Sequence, residues 1–458
     1  MHGHLARRAC ACLFGSFLLG VTAAHAQAFP FPYQAVTYSP TLDNPFGGEA
    51  TGFGSSVGVD GLTVLAGIPY YGPTDSYGFP TGQGRVAVFT ADAATGEVWT
   101  RTGSIENPNP VLNGQFGQAL AMQHDRAIVE APYDLYVFDK HGTGAAQTWD
   151  LRATIALPAP VINSPPPVDA TEFTYGAMAY DNGVVAAEVT EGLNVNGAWQ
   201  YTSFVYLYEV GWDGHTRLLE KLPAPQGPAG TAPIPGGSVG CGFGASVALE
   251  DGTLVVGCPS GSGAGPEPYP PGVAYVFARR GDHWELQQTL AGSSTNGDDF
   301  GEGVAIHRNI ILVGASQEIY NDQSQGSGVG YVFLRKHDRD RNCDAWALSQ
   351  RFSPANLTFG GFGDTVAFND QYAAFGAPET TGTEGENPGS TFIYKWQGDQ
   401  LVYDALAPYG TYGTSLAMSR KRLVIGSEAY YVHFGMTENA VIVDFDPPVA
   451  AMGTSTSP

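Results

Sequence analysis

The chain has 458 residues, of which 43% are apolar, 12% aromatic and only 14% charged, with 61 Gly and 32 Pro. That composition supplies a sizeable core and excludes global disorder, and also coiled coils and helical bundles, which draw on Ala, Glu, Lys, Leu and Arg. With 21 basic against 44 acidic residues the net charge is −23, which excludes electrostatic attachment to nucleic acid or anionic lipid.

Residues 1–26 read as a secretory leader, with Arg7 and Arg8 ahead of an apolar run over 9–24 and a small-x-small cleavage site at Ala24-His25-Ala26. No later stretch approaches the length of a membrane span. The mature chain is therefore expected to be secreted, periplasmic or at the cell surface, without membrane insertion. Cys10 and Cys12 leave with the leader, so Cys241, Cys258 and Cys343 remain, and three thiols cannot all pair internally. Cys241 and Cys258 flank one expected hairpin and form the candidate disulfide.

Beyond the leader a single pattern recurs. An aromatic followed by Gly stands at Phe53-Gly54, Phe116-Gly117, Tyr175-Gly176, Phe243-Gly244, Phe300-Gly301, Phe362-Gly363 and Tyr412-Gly413, at spacings of 63, 59, 68, 57, 62 and 50 residues. After each comes a short run of small and apolar residues, a polar turn, and a second run ending near Gly-x-Pro. The fourth copy shows it best, with Glu250-Asp251-Gly252 as the turn and Cys258-Pro259 at the end. Its Asp-Gly step suits the positive φ of a tight hairpin. Aromatic-rich third strands are expected at 86–89, 135–138, 204–208, 273–277, 329–333, 392–396 and 441–445, and fourth strands at 149–155, 284–290 and 346–352. No segment between them sustains an apolar period of 3.6.

Four antiparallel strands per repeat, arrayed radially, predict an all-β, seven-bladed β-propeller. The seventh copy runs out after its third strand, while an unused strand lies at 33–39. Residues 27–45 are therefore expected to complete the last blade and close the ring over 46–447, leaving 448–458 as a tail.

The Phe-Gly openings and Gly-Ala-Pro-like endings resemble FG-GAP repeats, the blades of the integrin α-subunit head and of many secreted bacterial proteins. The resemblance covers about 46–447 and implies the propeller fold together with adhesion or recognition outside the cell. The endings read Gly67-Ile68-Pro69, Glu130-Ala131-Pro132, Gly257-Cys258-Pro259, Gly314-Ala315-Ser316, Gly376-Ala377-Pro378 and Gly426-Ser427-Glu428, and the third copy, at Ala187-Glu188-Val189, has lost the motif. Integrin-type repeats often bind calcium through an Asp-x-Asp-x-Asp-Gly loop between the first two strands. Here the turns Val59-Asp60-Gly61, Asp181-Asn182-Gly183 and Glu250-Asp251-Gly252 hold too few oxygens for calcium. The candidate calcium ligands are instead Asp338, Asp340, Asn342 and Asp344, which alternate along one hairpin, although Arg339 and Arg341 interleave and no Gly follows.

Links from second to third strand share a face with the links between blades, and both sets are long, as functional loops on a rigid scaffold often are. They carry Tyr70, Tyr71 and Tyr77, then Trp199 and Tyr201, Tyr269, Tyr320 with Asn321 and Asp322, Glu379, Glu384 and Glu386, and finally Tyr430, Tyr431 and His433. Aromatic faces beside carboxylates and amides suit stacking on sugar rings or anchoring a protein, and equally suit packing the loops themselves. Glu302 and Asp364 follow two openings, where they either face the channel mouth or cap their own loops.

No Gly-x-Ser-x-Gly, His-Glu-x-x-His or phosphate-cradling loop is present, and the histidines are scattered. The sequence thus points to a non-catalytic, exported, monomeric binding protein whose loop face recognises an extracellular glycan or protein. The other readings are a structural or assembly component of the cell envelope, and a polysaccharide lyase using Tyr430 or Tyr431 with His433. Deleting residues 27–45 is expected to lower the melting temperature by roughly 5 °C or more in calorimetry; an unchanged melt would refute closure by that segment.

Overall fold

The computed structural model describes residues 33–37, 51–73, 81–91, 98–158, 168–195, 198–225, 241–259, 271–293, 298–318, 327–338, 343–354, 360–378, 389–407, 413–427 and 439–445. They form seven four-stranded antiparallel sheets. The last blade borrows β1 (Tyr33–Thr37) from the start of the chain. Blade 1 holds β2 (Val57–Asp60), β3 (Thr63–Ile68), β4 (Arg85–Ala91) and β5 (Trp99–Glu106); blade 2 holds β6 (Leu120–Gln123), β7 (Arg126–Ala131), β8 (Asp134–His141) and β9 (Thr148–Ala156). Blade 3 comprises β10 (Val168–Asp181), β11 (Val184–Val195), β12 (Ala198–Val210) and β13 (Thr216–Pro223), and blade 4 β14 (Val247–Glu250), β15 (Thr253–Cys258), β16 (Val273–Arg280) and β17 (His283–Ala291). In blade 5 are β18 (Phe300–His307), β19 (Ile310–Ala315), β20 (Val329–Asp338) and β21 (Cys343–Phe352), and in blade 6 β22 (Val366–Phe368), β23 (Tyr372–Ala377), β24 (Ser390–Gln397) and β25 (Gln400–Leu406). Blade 7 closes with β26 (Ser415–Met418), β27 (Arg422–Ser427) and β28 (Asn439–Asp444), against which β1 pairs from Tyr33↔Val443 to Thr37↔Asn439.

The innermost strands β2, β6, β10, β14, β18, β22 and β26 touch one another in sequence, and β26 returns to β2, so the ring is closed. Second strands are buried on both sides because side chains alternate between the two neighbouring blades. In β3, Val64, Ala66 and Ile68 pack towards blade 7, while Leu65 packs towards blade 2. Seven apolar clusters result, one per blade-to-blade interface.

The aromatic-Gly openings explain why the blades fit. Phe53, Phe116, Phe243, Phe300 and Phe362 are at most 2% exposed. Each ring lies against aromatics of its own third strand, as Phe300 does on Tyr331 at 5.0 Å and Phe116 on Phe138 at 6.1 Å. The opener's backbone then lodges against the preceding blade. A Cβ on Gly67 would drive into the carbonyl oxygen of Gly117, and the same relation joins Gly257 to Gly301, Gly314 to Gly363, Gly376 to Gly413 and Gly426 to Gly54. A second glycine, ahead of the third strand, completes the grip: Gly84 lies on the backbone of Phe116, Gly272 on that of Phe300 and Gly328 on that of Phe362. Ser56, Ser246 and Ser415 each donate a hydroxyl at 2.7 Å to the clamped carbonyl of the next opener, at Gly117, Gly301 and Gly54.

The rim is stitched separately. Gln288 exchanges two hydrogen bonds with the backbone of Trp346, and Gln350 two with Leu401, tying the outer strands of blades 4, 5 and 6. On the hairpin face the fully buried Arg126 ion-pairs with Asp139 at 2.7 Å, donates to the Val210 and Gly211 carbonyls and lies over the Trp212 ring, joining blade 2 to blade 3. Cys241 and Cys258 are joined by a disulfide beside the opening of blade 4.

The clamp is directly testable. Gly314→Ala is expected to cost about 2–4 kcal/mol, because backbone on the facing blade cannot yield. Gly281→Ala, at a hairpin tip with no atom within 4 Å of the new Cβ, should cost only about 1 kcal/mol, from its positive φ. Equal melts for the two variants would contradict the clamp.

Candidate functional site

Second strands end, and links between blades cross, on one face of the ring; the tight hairpins lie on the other. Blade 3 breaks the pattern on the link face. The register Val189↔Phe204 corresponds to Ile68↔Arg85 of blade 1, where β3 ends. In blade 3 the pairing continues through Thr190↔Ser203 to Val195↔Ala198, and β10 follows alongside from Tyr175↔Val189 back to Val168↔Val195. Six further residues of β11, at about 3.3 Å each, carry a three-stranded arm roughly 20 Å beyond the level at which the described second strands of the other blades end. Its base is pinned by Lys221, which ion-pairs with Glu191 at 2.6 Å and sits 3.6 Å over the Phe204 ring, and by the Tyr206 hydroxyl, which donates to Glu191 at 2.5 Å.

The glycine clamp fails at this same place. Hydrogen bonds from Gly117 N to Glu130 O and from Glu130 N to Ala119 O put Glu130 where Gly67 stands in blade 1, and the pairing of β10 with β11 puts Glu188 there in blade 3. Alternation along β7 turns Glu130 towards blade 3, whereas Glu188 meets Gly244 of blade 4. Of the seven opener glycines only Gly176 lacks the left-handed φ of +69° to +99° found at the other six. It is glycine for a different reason, because a Cβ there would lie 2.8 Å from Glu188 Oε2.

Glu130 is 6% and Glu188 8% exposed. The Thr190 hydroxyl donates to Glu188 Oε1 at 2.6 Å and is itself in contact with the Ser203 hydroxyl. Ser203 occupies the place of the second clamping glycine, Gly84. Burial, with the charge of Glu188 nearby, pushes the Glu130 carboxyl up to about 8. Burial likewise pushes Glu188 up to about 7, against the lowering effect of the Thr190 and Ser203 hydroxyls. Among the described residues no Lys, Arg or His offsets either charge.

The sequence-derived candidates fall elsewhere. Tyr71 lies partly buried against the core of blades 7 and 1 with Arg85 stacked 3.9 Å over its ring, and Tyr70 borders Gly52, its amide donating to Thr51 O. Trp199 and Tyr201, expected in a loop, are on β12, because the long register of β11 with β12 draws that segment into the arm. Tyr77, Tyr320, Asp322, Tyr430, Tyr431 and His433 lie outside the described residues, as do Asp340 and Asn342. Asp338 ends β20 opposite Cys343. Asp344 is a strand residue whose carboxylate meets Arg335 at 3.1 Å and His337 at 3.1 Å. Glu302 accepts a hydrogen bond from the Ser316 hydroxyl. On the hairpin face a cleft of about 530 Å³ opens between blades 3 and 4, lined by Asp181, Asp251, Arg279 and Trp284 among others. Among the described residues no three of His, Cys, Asp and Glu converge as metal ligands, and no helix is long and apolar enough to cross a membrane.

Residues 284–333 match the sequence profile of the FG-GAP repeat. That stretch runs from the outer strand of blade 4 through the third strand of blade 5 of the seven-bladed β-propeller. No curated protein sequence matches the chain. Among solved structures, a functionally unknown protein from Desulfotomaculum acetoxidans is similar over 75% of this chain and 86% of its own, with 10% identity and a TM-score of 0.43. Sqt1 from Chaetomium thermophilum is similar over 87% and 97%, with 11% identity and a TM-score of 0.45.

Proposed function

We propose that the protein is an exported, non-catalytic binding protein that recognises its ligand on the link face of the propeller, beside the arm of blade 3. The arm carries this reading. Among the described residues the second and third strands of blade 3 alone continue past the level at which those of the other blades end, so the link face has a wall that the ring itself does not need. A wall on a rigid platform supplies a concave recognition surface without chemistry of its own. Secretion or retention in the periplasm follows from the leader over residues 1–26, and the low charge of the chain suits recognition through shape and hydrogen bonds.

Between an extracellular glycan and a protein, the arm favours a protein. Along Val168–Thr174, β10 pairs with β11 on one side, and no described strand pairs with its other margin. Such a margin offers a row of backbone donors and acceptors to an extended segment of a partner.

Replacing residues 191–202 with an Asn-Gly turn closes the hairpin at the Thr190↔Ser203 pair and removes the tip of the arm. The mature chain 27–458 and this shortened form are to be compared for binding to cell-surface proteins of the native host and to a glycan array. The expected result is at least a tenfold loss of protein binding with a melting temperature within a few degrees of the parent. Equal binding by both forms would contradict the reading, and release of a glycan product abolished by His433→Ala would replace it with the lyase.

A further inference from the structure

We propose that the cleft between blades 3 and 4 on the hairpin face is a binding site for a guanidinium group, carried by an arginine side chain or by a small guanidine. The inference goes beyond the recognition reading, which concerns the opposite face, and does not depend on it.

Position carries the first part of the argument. The residue that starts the second strand, just after the inner hairpin, faces the next blade. Between blades 2 and 3 it is Arg126, which donates to the Val210 and Gly211 carbonyls, pairs with Asp139 and lies 4.1 Å over the Trp212 ring. Between blades 7 and 1 it is Arg422, which donates to Gly61 O at 2.7 Å, meets Asp444 at 2.6 Å and lies 5.2 Å over the Trp99 ring. Tyr372 of blade 6 stacks on Phe445 of blade 7, and the Thr63 hydroxyl of blade 1 donates to Gln147 of blade 2. In blade 3 the residue is Val184, paired with Asp181 across the hairpin as Arg126 is with Gln123. Valine is too short to fill the junction with blade 4, and the space it leaves is the cleft of about 530 Å³. That volume lies within the range of about 300–1,000 Å³ usual for small-ligand sites.

Chemistry carries the second part, because the walls of the cleft repeat those of the two junctions that an arginine occupies. Trp284 pairs with Arg279 in blade 4 as Trp99 pairs with Ala91 in blade 1, and the amides of Arg279 and Ala91 both donate to the inner hairpin of their own blade. Trp284 therefore stands where Trp99 receives Arg422. The same contact, from Val210 N to Gly183 O, makes Arg279 and Arg280 the counterparts of Val210 and Gly211, whose carbonyls hold Arg126. Acid is supplied differently. Glu209, opposite Val184 as Asp139 is opposite Arg126, is engaged by Arg217 at 2.8 Å. The cleft is lined instead by Asp181 and Asp251. Asp181 is buried and accepts from Gln123 and from the Asp251 amide, so it acts through its charge, whereas Asp251 is exposed at the rim. Against these two carboxylates the lining has one cation, Arg279, whose Nε is held by Gly281 O at 2.8 Å. The charge balance favours a monocation. The indole and the convergent carbonyls favour a flat guanidinium, which stacks and donates in a fork, over a compact ammonium.

The test is a ligand-observed NMR titration of the mature chain 27–458 with three probes. They are agmatine, the blocked peptide acetyl-Ala-Arg-Ala-amide, and its citrulline counterpart, in which a neutral urea replaces the guanidinium. Saturable binding of agmatine or of the arginine peptide is expected, with the citrulline peptide about tenfold weaker or worse. Tighter binding of the peptide assigns the group to a partner protein, and tighter binding of agmatine to a small molecule; either supports the site. Val184→Arg, which restores the side chain of the neighbouring junction, should abolish binding with a melting temperature no lower than the parent's. Asp251→Asn, at a turn residue whose left-handed φ of 46° asparagine also adopts, should weaken binding about tenfold. That variant keeps the test valid if arginine is not accepted at position 184. The proposal is overturned if neither guanidine binds saturably, if the citrulline peptide binds as well as the arginine peptide, or if binding is unchanged in Asp251→Asn or in folded Val184→Arg.

Discussion

The constraint on which this structure depends is steric, and it sits in the backbone. At five of the seven junctions the opener's main chain lodges against a glycine of the blade before it, so closely that a single Cβ would collide with a carbonyl oxygen. The rings of Phe53, Phe116, Phe243, Phe300 and Phe362 are buried, and at about 1.5–3 kcal/mol per large apolar side chain these openers are a major part of the cohesion of the ring. Abundant glycine, scarce charge and a rich supply of aromatics are three consequences of one packing rule. Closure follows as well. An open array would leave the opener of blade 1 without a clamp, whereas here Gly426 of blade 7 meets Gly54, and β1 completes the sheet at the rim.

Against so regular a rule the exceptions are informative because they fall together. Glu130, Glu188, Ser203, the ordinary φ of Gly176 and the extension of β10, β11 and β12 all belong to the two junctions around blade 3. Loss of the clamp removes stabilising contacts and brings two acids into the interior, while the arm carries the ends of three strands beyond the ring. Neither change helps the ring to form. Both make sense as a local departure for recognition, with the propeller supplying the rigidity on either side. The buried Arg126, by contrast, is paired by Asp139 and two backbone carbonyls.

Much of the fold was legible in the sequence because the clamp leaves a signature that survives divergence: an aromatic and a glycine, then a glycine again after one hairpin. Seven copies gave seven blades, and the strand missing after residue 445 pointed to the one waiting near Tyr33. The arm was not legible. Its strands read as ordinary second and third strands joined by a polar, aromatic loop, so Trp199 and Tyr201 were placed in a connection when they lie on β12. Strand propensity cannot say where a hairpin stops if both flanks can pair. The glutamates were visible as Glu130-Ala131-Pro132 and Ala187-Glu188-Val189, but as decayed motifs. Only the three-dimensional register shows that both replace the clamping glycine, Glu130 on the side of blade 3 and Glu188 against the opener of blade 4.

The central claim is that the ring is held by backbone clamps at every junction except those around blade 3. Hydrogen exchange of the mature chain, read peptide by peptide, tests it most directly. The account predicts slow exchange at the clamped openers near Gly54, Gly117, Gly301 and Gly363, and opening first over residues 168–203. Uniform protection around the ring, or an opening that begins at the junction of blades 7 and 1, would contradict it.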